Sequence, residues 1–117
     1  MNPRETFLHL ATELGKLGLA FLCSREYFGD DRLGPELKRA FGGVYIANER
    51  YTQAQAEQVI RAGEADAVAF GKLFISNPDL PTRFEVGASL NGPVVETFYT
   101  HGVEGYTDYP ALVLQER

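Results

Sequence analysis

Apolar positions along the chain fall into alternating helical and strand-like periods. Asn2 followed by Pro3 and Glu5 has the layout of a helix start: a capping side chain, a proline in the first turn and an acid beside it. Phe7, Leu10, Leu14 and Leu17 then recur at helical spacing and predict one apolar face, with Gly18 placed to end the helix in a left-handed turn. Leu19 to Cys23 is a continuous apolar run of strand length, the pattern of a parallel strand covered on both faces. A polar stretch, Ser24 to Gly34, leads to a short helix from Pro35 to Phe41, broken by Gly42-Gly43, and Val44 to Ala47 reads as a second strand. Thr52 and Gln55 form a capping box for a helix that buries Ala56, Val59 and Ile60 and ends at Gly63. The third strand, Ala67 to Phe70, stops at Gly71-Lys72 and turns directly into a short helix closed by Asn77-Pro78. Residues 79–87 predict a further helical piece, and from Ala88 onward Gly, Pro, Asn and aromatics give an irregular tail.

Helix, strand, helix, strand, helix, strand is the order of an α/β fold with parallel strands and right-handed crossovers. Three such strands leave two open apolar edges, which soluble proteins normally cover. The first helix also precedes the first strand, as if continuing from a strand that is not there. The pattern is that of a slice of a larger sheet.

The 117 residues suffice for one domain, and 44% apolar content with eight Phe and six Tyr can build a core. A net charge of -5 argues against nucleic-acid or polybasic membrane partners. No apolar run approaches the ~20 residues a membrane helix needs, and Met1 to Glu5 lacks a signal-peptide layout. Cys23, the single cysteine, allows no internal disulfide, so a cytoplasmic protein is the expectation.

Ligands of parallel α/β folds collect at the carboxyl ends of the strands. Two such ends carry candidate chemistry: Asn48-Glu49-Arg50 after the second strand, and Gly71-Lys72 after the third. Glycine permits close backbone approach, helix-start amides point outward, and Lys72 adds a flexible cation, a combination suited to phosphate. Neighbouring strands lie ~5 Å apart, close enough for both loops to grip one group. Equally, a glycine after a strand is a turn residue and a lysine beside it a solvated charge. Neither a G-x-G-x-x-G nor a G-x-x-x-x-G-K-[ST] motif decides between them.

Longer pieces of sequence carry a resemblance. "AVAFGKLFISNPDLPTRFEVGASLN" and "TFYTHGVEGYTDYPAL" closely resemble the C-terminal end of the Old Yellow Enzyme family of FMN-dependent ene-reductases. "GLAFLCSRE", "LGPELKRAFGGVYIANERYT" and "AEQVIRAGEADAVAFGK" are similar to its xenobiotic or nitrate-ester reductase branch, so the likeness runs from about Leu8 to Leu112. It implies the last three βα units of a (β/α)8 TIM barrel, with residues 1–117 the C-terminal part of one FMN-binding domain and 88–117 its irregular tail. By the same resemblance Asn48, Glu49, Arg50, Phe70, Gly71 and Lys72 hold the FMN phosphate, and Tyr99 lies near the flavin's dimethylbenzene edge. It further implies NADH or NADPH as reductant and an activated alkene (an enone), nitro or nitrate-ester compound as substrate.

The chain departs from the family at several positions. Many members have Arg where Lys72 stands, and a glycine-rich A-G-x-Y/F where this chain has Asn48-Glu49-Arg50-Tyr51, so the Glu49 carboxylate must point away from a phosphate. The family's H-x-x-N or H-x-x-H pair and its proton-donating tyrosine have no counterpart, since neither His9 nor His101 begins such a motif. No catalytic residue and no metal site is assigned, and the chain alone is expected to be inactive. Alternatives are a non-catalytic flavin- or phosphate-binding fragment, or a truncated protein that self-associates through its sheet edges. Cys23 reads as a packed side chain, Arg25 and Glu26 as rim residues or a solvated pair, and Phe98, Tyr106 and Tyr109 as aromatic anchors of the tail.

Overall fold

The computed structural model describes residues 2–112. They divide between Ala69 and Phe70 into two compact units, each taken by itself below.

In the first unit, residues 2–69, α1 (Pro3–Gly15) is followed by β1 (Leu22–Arg25), α2 (Gly34–Phe41), β2 (Tyr45–Asn48), α3 (Gln53–Arg61) and β3 (Ala67–Val68). The three strands form one parallel sheet in the order β1-β2-β3. Leu22 lies opposite Tyr45, Arg25 opposite Asn48, and Ala47 opposite Val68. Asn2 caps α1 by accepting from the Glu5 amide at 2.9 Å, and Thr52 and Gln55 close the capping box of α3.

The core lies where α2 and α3 meet the sheet: Leu37, Phe41, Tyr45, Ala47, Ala56 and Val59 are buried. Gly15 allows α1 to touch α2, because a Cβ there would collide with the Phe41 carbonyl. Polar groups tie the strand starts and ends. The Asp66 carboxylate accepts from the Tyr45 amide at 2.9 Å and from Lys38 Nζ at 3.3 Å. Both Glu26 oxygens accept amides at the start of α2, from Leu33 at 2.7 Å and Gly34 at 3.0 Å.

Several predicted boundaries shift. β1 begins at Leu22, because the ladder with β2 starts at Tyr45, and Leu19 and Phe21 stay exposed. α1 ends at Gly15, so Leu17 falls outside it, although Gly18 has the left-handed φ of 69°. The apolar face of α1 is half uncovered, with Phe7 at 52% and Leu10 at 50% exposure. Ile60 is exposed while its neighbour Val59 is buried, one step round the same helix.

The second unit, residues 70–112, holds α4 (Lys72–Ser76), α5 (Leu80–Val86) and a 3-10 turn at Val95–Thr97. The Phe70 and Phe84 rings meet edge to face, centroids 5.3 Å apart. Its centre is polar. Asn77 is fully buried; its Nδ2 donates to the Leu73 carbonyl at 2.9 Å, and its Oδ1 accepts the Asn91 amide at 2.7 Å. Asn91 Nδ2 in turn donates to the Ser76 carbonyl at 2.9 Å and the Pro110 carbonyl at 2.8 Å. Arg83, 5% exposed, donates to Asp79 at 2.8 Å, the Ser89 carbonyl at 2.7 Å and the Pro110 carbonyl at 2.9 Å. Asp79 also accepts the Leu112 amide at 2.7 Å. The irregular tail is thus fastened by side chains where no sheet or helix supplies a ladder. No helix among the described residues is long and apolar enough to cross a membrane.

Candidate functional site

At the carboxyl end of β2 the chain must reverse from Asn48 to the cap at Thr52 within a few residues. Asn48 remains in the sheet: its carbonyl accepts the Glu26 amide at 2.6 Å, and the Glu49 amide donates back to the Glu26 carbonyl at 2.9 Å. The Glu49 amide is therefore engaged with the adjoining segment. Its carboxylate is turned toward Arg25, which grips it with Nε at 2.6 Å and NH2 at 3.1 Å. That hydrogen bond and charge hold the Arg25 proton more firmly than usual.

Arg50 makes the reversal. Its φ of 57° is left-handed, which costs a side-chain-bearing residue about 1 kcal/mol and glycine almost nothing. Its guanidinium lies 5.1 Å from the centre of the Tyr27 ring. Tyr51 turns inward, meets Phe28 edge to face at 5.8 Å, and is buried enough to push its phenol pKa up. Arg32 stacks on the other ring of this pair, 4.3 Å from the Phe28 centroid. The loop after β2 is thereby held by aromatic packing below while Arg50 stays at the surface.

In the second unit Gly71 precedes α4 with φ -93° and ψ -81°, and no side chain caps the helix. The first intrahelical bond runs from the Ile75 amide to the Gly71 carbonyl at 3.0 Å, so the amides of Lys72, Leu73 and Phe74 have no acceptor within the helix. A Cβ at Gly71 would meet nothing within 4 Å, so the backbone there faces open space. Lys72 is exposed and has no carboxylate partner among the described residues. Phe70 is held by Phe84. Tyr99, 95% exposed, and Tyr106 are open to solvent among the described residues, whereas the Tyr109 hydroxyl accepts the Val94 amide at 2.8 Å.

Taken singly, each loop carries groups that suit an anion: in the first unit the Arg50 cation beside an acid whose oxygens are bound by Arg25, and in the second the uncapped amides after Gly71 with the Lys72 cation. No group of His, Cys, Asp and Glu that could hold a metal occurs among the described residues. His9 and His101 are both exposed, and Cys23 is exposed on β1 instead of packed. An open, mostly apolar pocket of about 360 Å³ lies beside β1, between α1 and α2, with Phe7, Leu10, Leu14, Leu22 and Leu37 among its walls. The Asn77–Asp79–Arg83–Asn91 network behind α4 has almost no signature in the sequence. Its local sign is the Asp79–Arg83 spacing of four; the role of Asn91 depends on a contact fourteen residues away.

No family model matches the chain. Individual proteins do. A 12-oxophytodienoate reductase-like protein of Solanum lycopersicum is 43% identical over 115 residues, which are 95% of this chain and 32% of that protein. The old yellow enzyme homologue of Zymomonas mobilis superposes with a TM-score of 0.86 at 40% identity, over 94% of this chain and 33% of its own. Morphinone reductase in complex with tetrahydroNAD gives 0.87 at 40% identity, over 96% of this chain and 31% of its own. The chain spans about a third of the length of the relatives it matches. Its sheet is an unclosed part of the TIM barrel of these neighbours. With this likeness running through nearly all of its length in both sequence and fold, the chain belongs to the Old Yellow Enzyme family.

Proposed function

We propose that this chain contributes the FMN-phosphate loops of an FMN-dependent NAD(P)H oxidoreductase that reduces activated alkenes or nitro and nitrate-ester compounds. The observation that carries the reading is the uncapped, open turn at Gly71-Lys72. Each loop offers its own groups. After β2, where the Glu49 amide is taken by the Glu26 carbonyl, the turn from Asn48 offers the anion the backbone and the cation of Arg50, with the Glu49 carboxylate held aside by Arg25. After β3, Phe70 fixes the turn against Phe84, Gly71 lets the backbone approach, and Lys72 neutralises charge. Tyr99 supplies an exposed ring for the flavin's apolar edge. Bound FMN would supply the hydride chemistry between nicotinamide and substrate. The chain's likeness to a 12-oxophytodienoate reductase-like protein and to morphinone reductase in complex with tetrahydroNAD supports that class of reaction.

The chain by itself carries the phosphate end of such a site and no substrate anchor or proton donor, so it is inactive alone. FMN binds the isolated chain more weakly than about 1 μM, because a gripped phosphate leaves the ring unheld. Mixing the chain with the complementary two-thirds of an Old Yellow Enzyme barrel and FMN restores NAD(P)H-driven alkene reduction. Absence of activity from two folded, associated parts with FMN bound would count decisively against the reading. A second reading, a non-catalytic piece that self-associates, is favoured by the uncovered flank of α1 and β1.

A further inference from the structure

We propose that Arg25 is a positioning residue for the phosphate loop, holding the Glu49 carboxylate aside so that an acid can stand in a turn that receives an anion. The inference rests on the phosphate-loop reading and deepens it. Glu49 stands in a stretch that is glycine-rich in many Old Yellow Enzymes, and a carboxylate turned toward an anion bound at that turn would oppose it. Like charges so placed repel strongly, the more so where protein excludes water.

Three observations place the remedy on β1. The register sets Arg25 opposite Asn48, one residue before the acid. The bonds from the Glu26 amide to Asn48, 2.6 Å, and from the Glu49 amide to Glu26, 2.9 Å, fix the two backbones together beyond the last paired residues. Across that fixed gap the guanidinium binds both oxygens of Glu49, Nε to Oε2 at 2.6 Å and NH2 to Oε1 at 3.1 Å. A fork of this kind dictates the direction of the carboxylate as well as offsetting its charge, which a lysine ammonium does less well.

The exposure of the pair argues for function over stability. The Arg25 side chain is 78% exposed and that of Glu49 20% exposed. An ion pair whose arginine lies so open to water contributes little to folding, although its acid is the more covered partner. Loss of Arg25 therefore moves anion binding far more than it moves the melting temperature.

The 117-residue chain, as wild type, Arg25→Ala, Arg25→Lys and the double variant Arg25→Ala with Glu49→Gln, is titrated at low salt with FMN and with inorganic phosphate up to millimolar concentration. Binding is read from the amide NMR shifts of Arg50 and Gly71. Arg25→Ala weakens binding of both anions about tenfold or more, the double variant restores it to near wild type, and Arg25→Lys falls between. Unchanged binding in Arg25→Ala, or equal weakness in the single and double variants, overturns the inference while leaving the phosphate-loop reading intact. A wild-type chain whose Arg50 and Gly71 amides respond to neither anion overturns both. Should Arg25→Ala not fold, Arg25→Gln, which keeps a donor without the charge, carries the same comparison.

Discussion

Arg50 shows how a family position tolerates a departure. A left-handed turn between a strand and a capped helix favours glycine, and here an arginine occupies it, its guanidinium resting near the Tyr27 ring. A branched Cβ cannot follow. Arg50→Val is expected to destabilise the chain by about 1–2 kcal/mol in thermal melts, without loss of helix content. Asn77 has the opposite character, buried and fully used. Asn77→Ala leaves the Asn91 amide without its side-chain acceptor and the Leu73 carbonyl with only the longer bond from the Ser76 hydroxyl, and is expected to cost about 2 kcal/mol, read by denaturant unfolding. Neither role could be read from sequence. Arginine is no turn former, and Asn77 before Pro78 has a sufficient local explanation as a helix stop, whereas its real partner is distant. In sequence, Arg25 reads as a rim residue or as one of a solvated pair with Glu26. Its pairing with Glu49 needs the β1–β2 register, which periodicity does not supply.

Among the elements, α3 is the one most fully legible. The Thr52–Gln55 box and Gly63 bracket it in sequence, and the box forms as written. Thr52→Ala removes the cap from the Gln55 amide and should lower stability by about 1 kcal/mol. β1 is the least legible, because an apolar run does not say which of its residues find a partner strand. The linkage of Asp66 to β2 and of Asp79 to α5 gives these elements a pH dependence. The Tyr45 amide and Lys38 hold the Asp66 carboxyl below the ordinary range, and Arg83 with the Leu112 amide does the same for Asp79. A depressed carboxyl in the folded chain means that the unfolded chain takes up protons first as the medium turns acid. The stabilisation is complete above the ordinary aspartate value of about 3.9 and is lost as pH falls through the lower folded value. Melting temperatures should be flat above about pH 5 and fall below pH 4. Asp66→Asn, which can still accept from Tyr45, should make that fall shallower.

At the scale of the molecule, the alternation of elements foretold a parallel sheet, and the excess of apolar edge foretold that the sheet is only part of one. Both follow from averages over many residues, which is why they survive shifts of three residues in a strand start. What averages could not foretell is how unevenly the flank is covered: Ala11 is buried while Phe7 and Leu10, on the same helix, are half bare. Such a surface favours association. The isolated chain is expected to sediment as a dimer or larger species, and Phe7→Glu with Leu10→Glu should return it to a monomer with little change in melting temperature. A wild-type chain that sediments as a monomer at high concentration would contradict this. Addition of the complementary barrel portion should compete with self-association for the same flank.

β1, the strand on that flank, pairs only with β2 among the described residues and carries the chain's single thiol, Cys23, open to solvent. A maleimide dye should therefore label the bare polypeptide quickly and at one known point. Slowed labelling would announce, in real time and without any enzymatic assay, that something had come to lie against that strand.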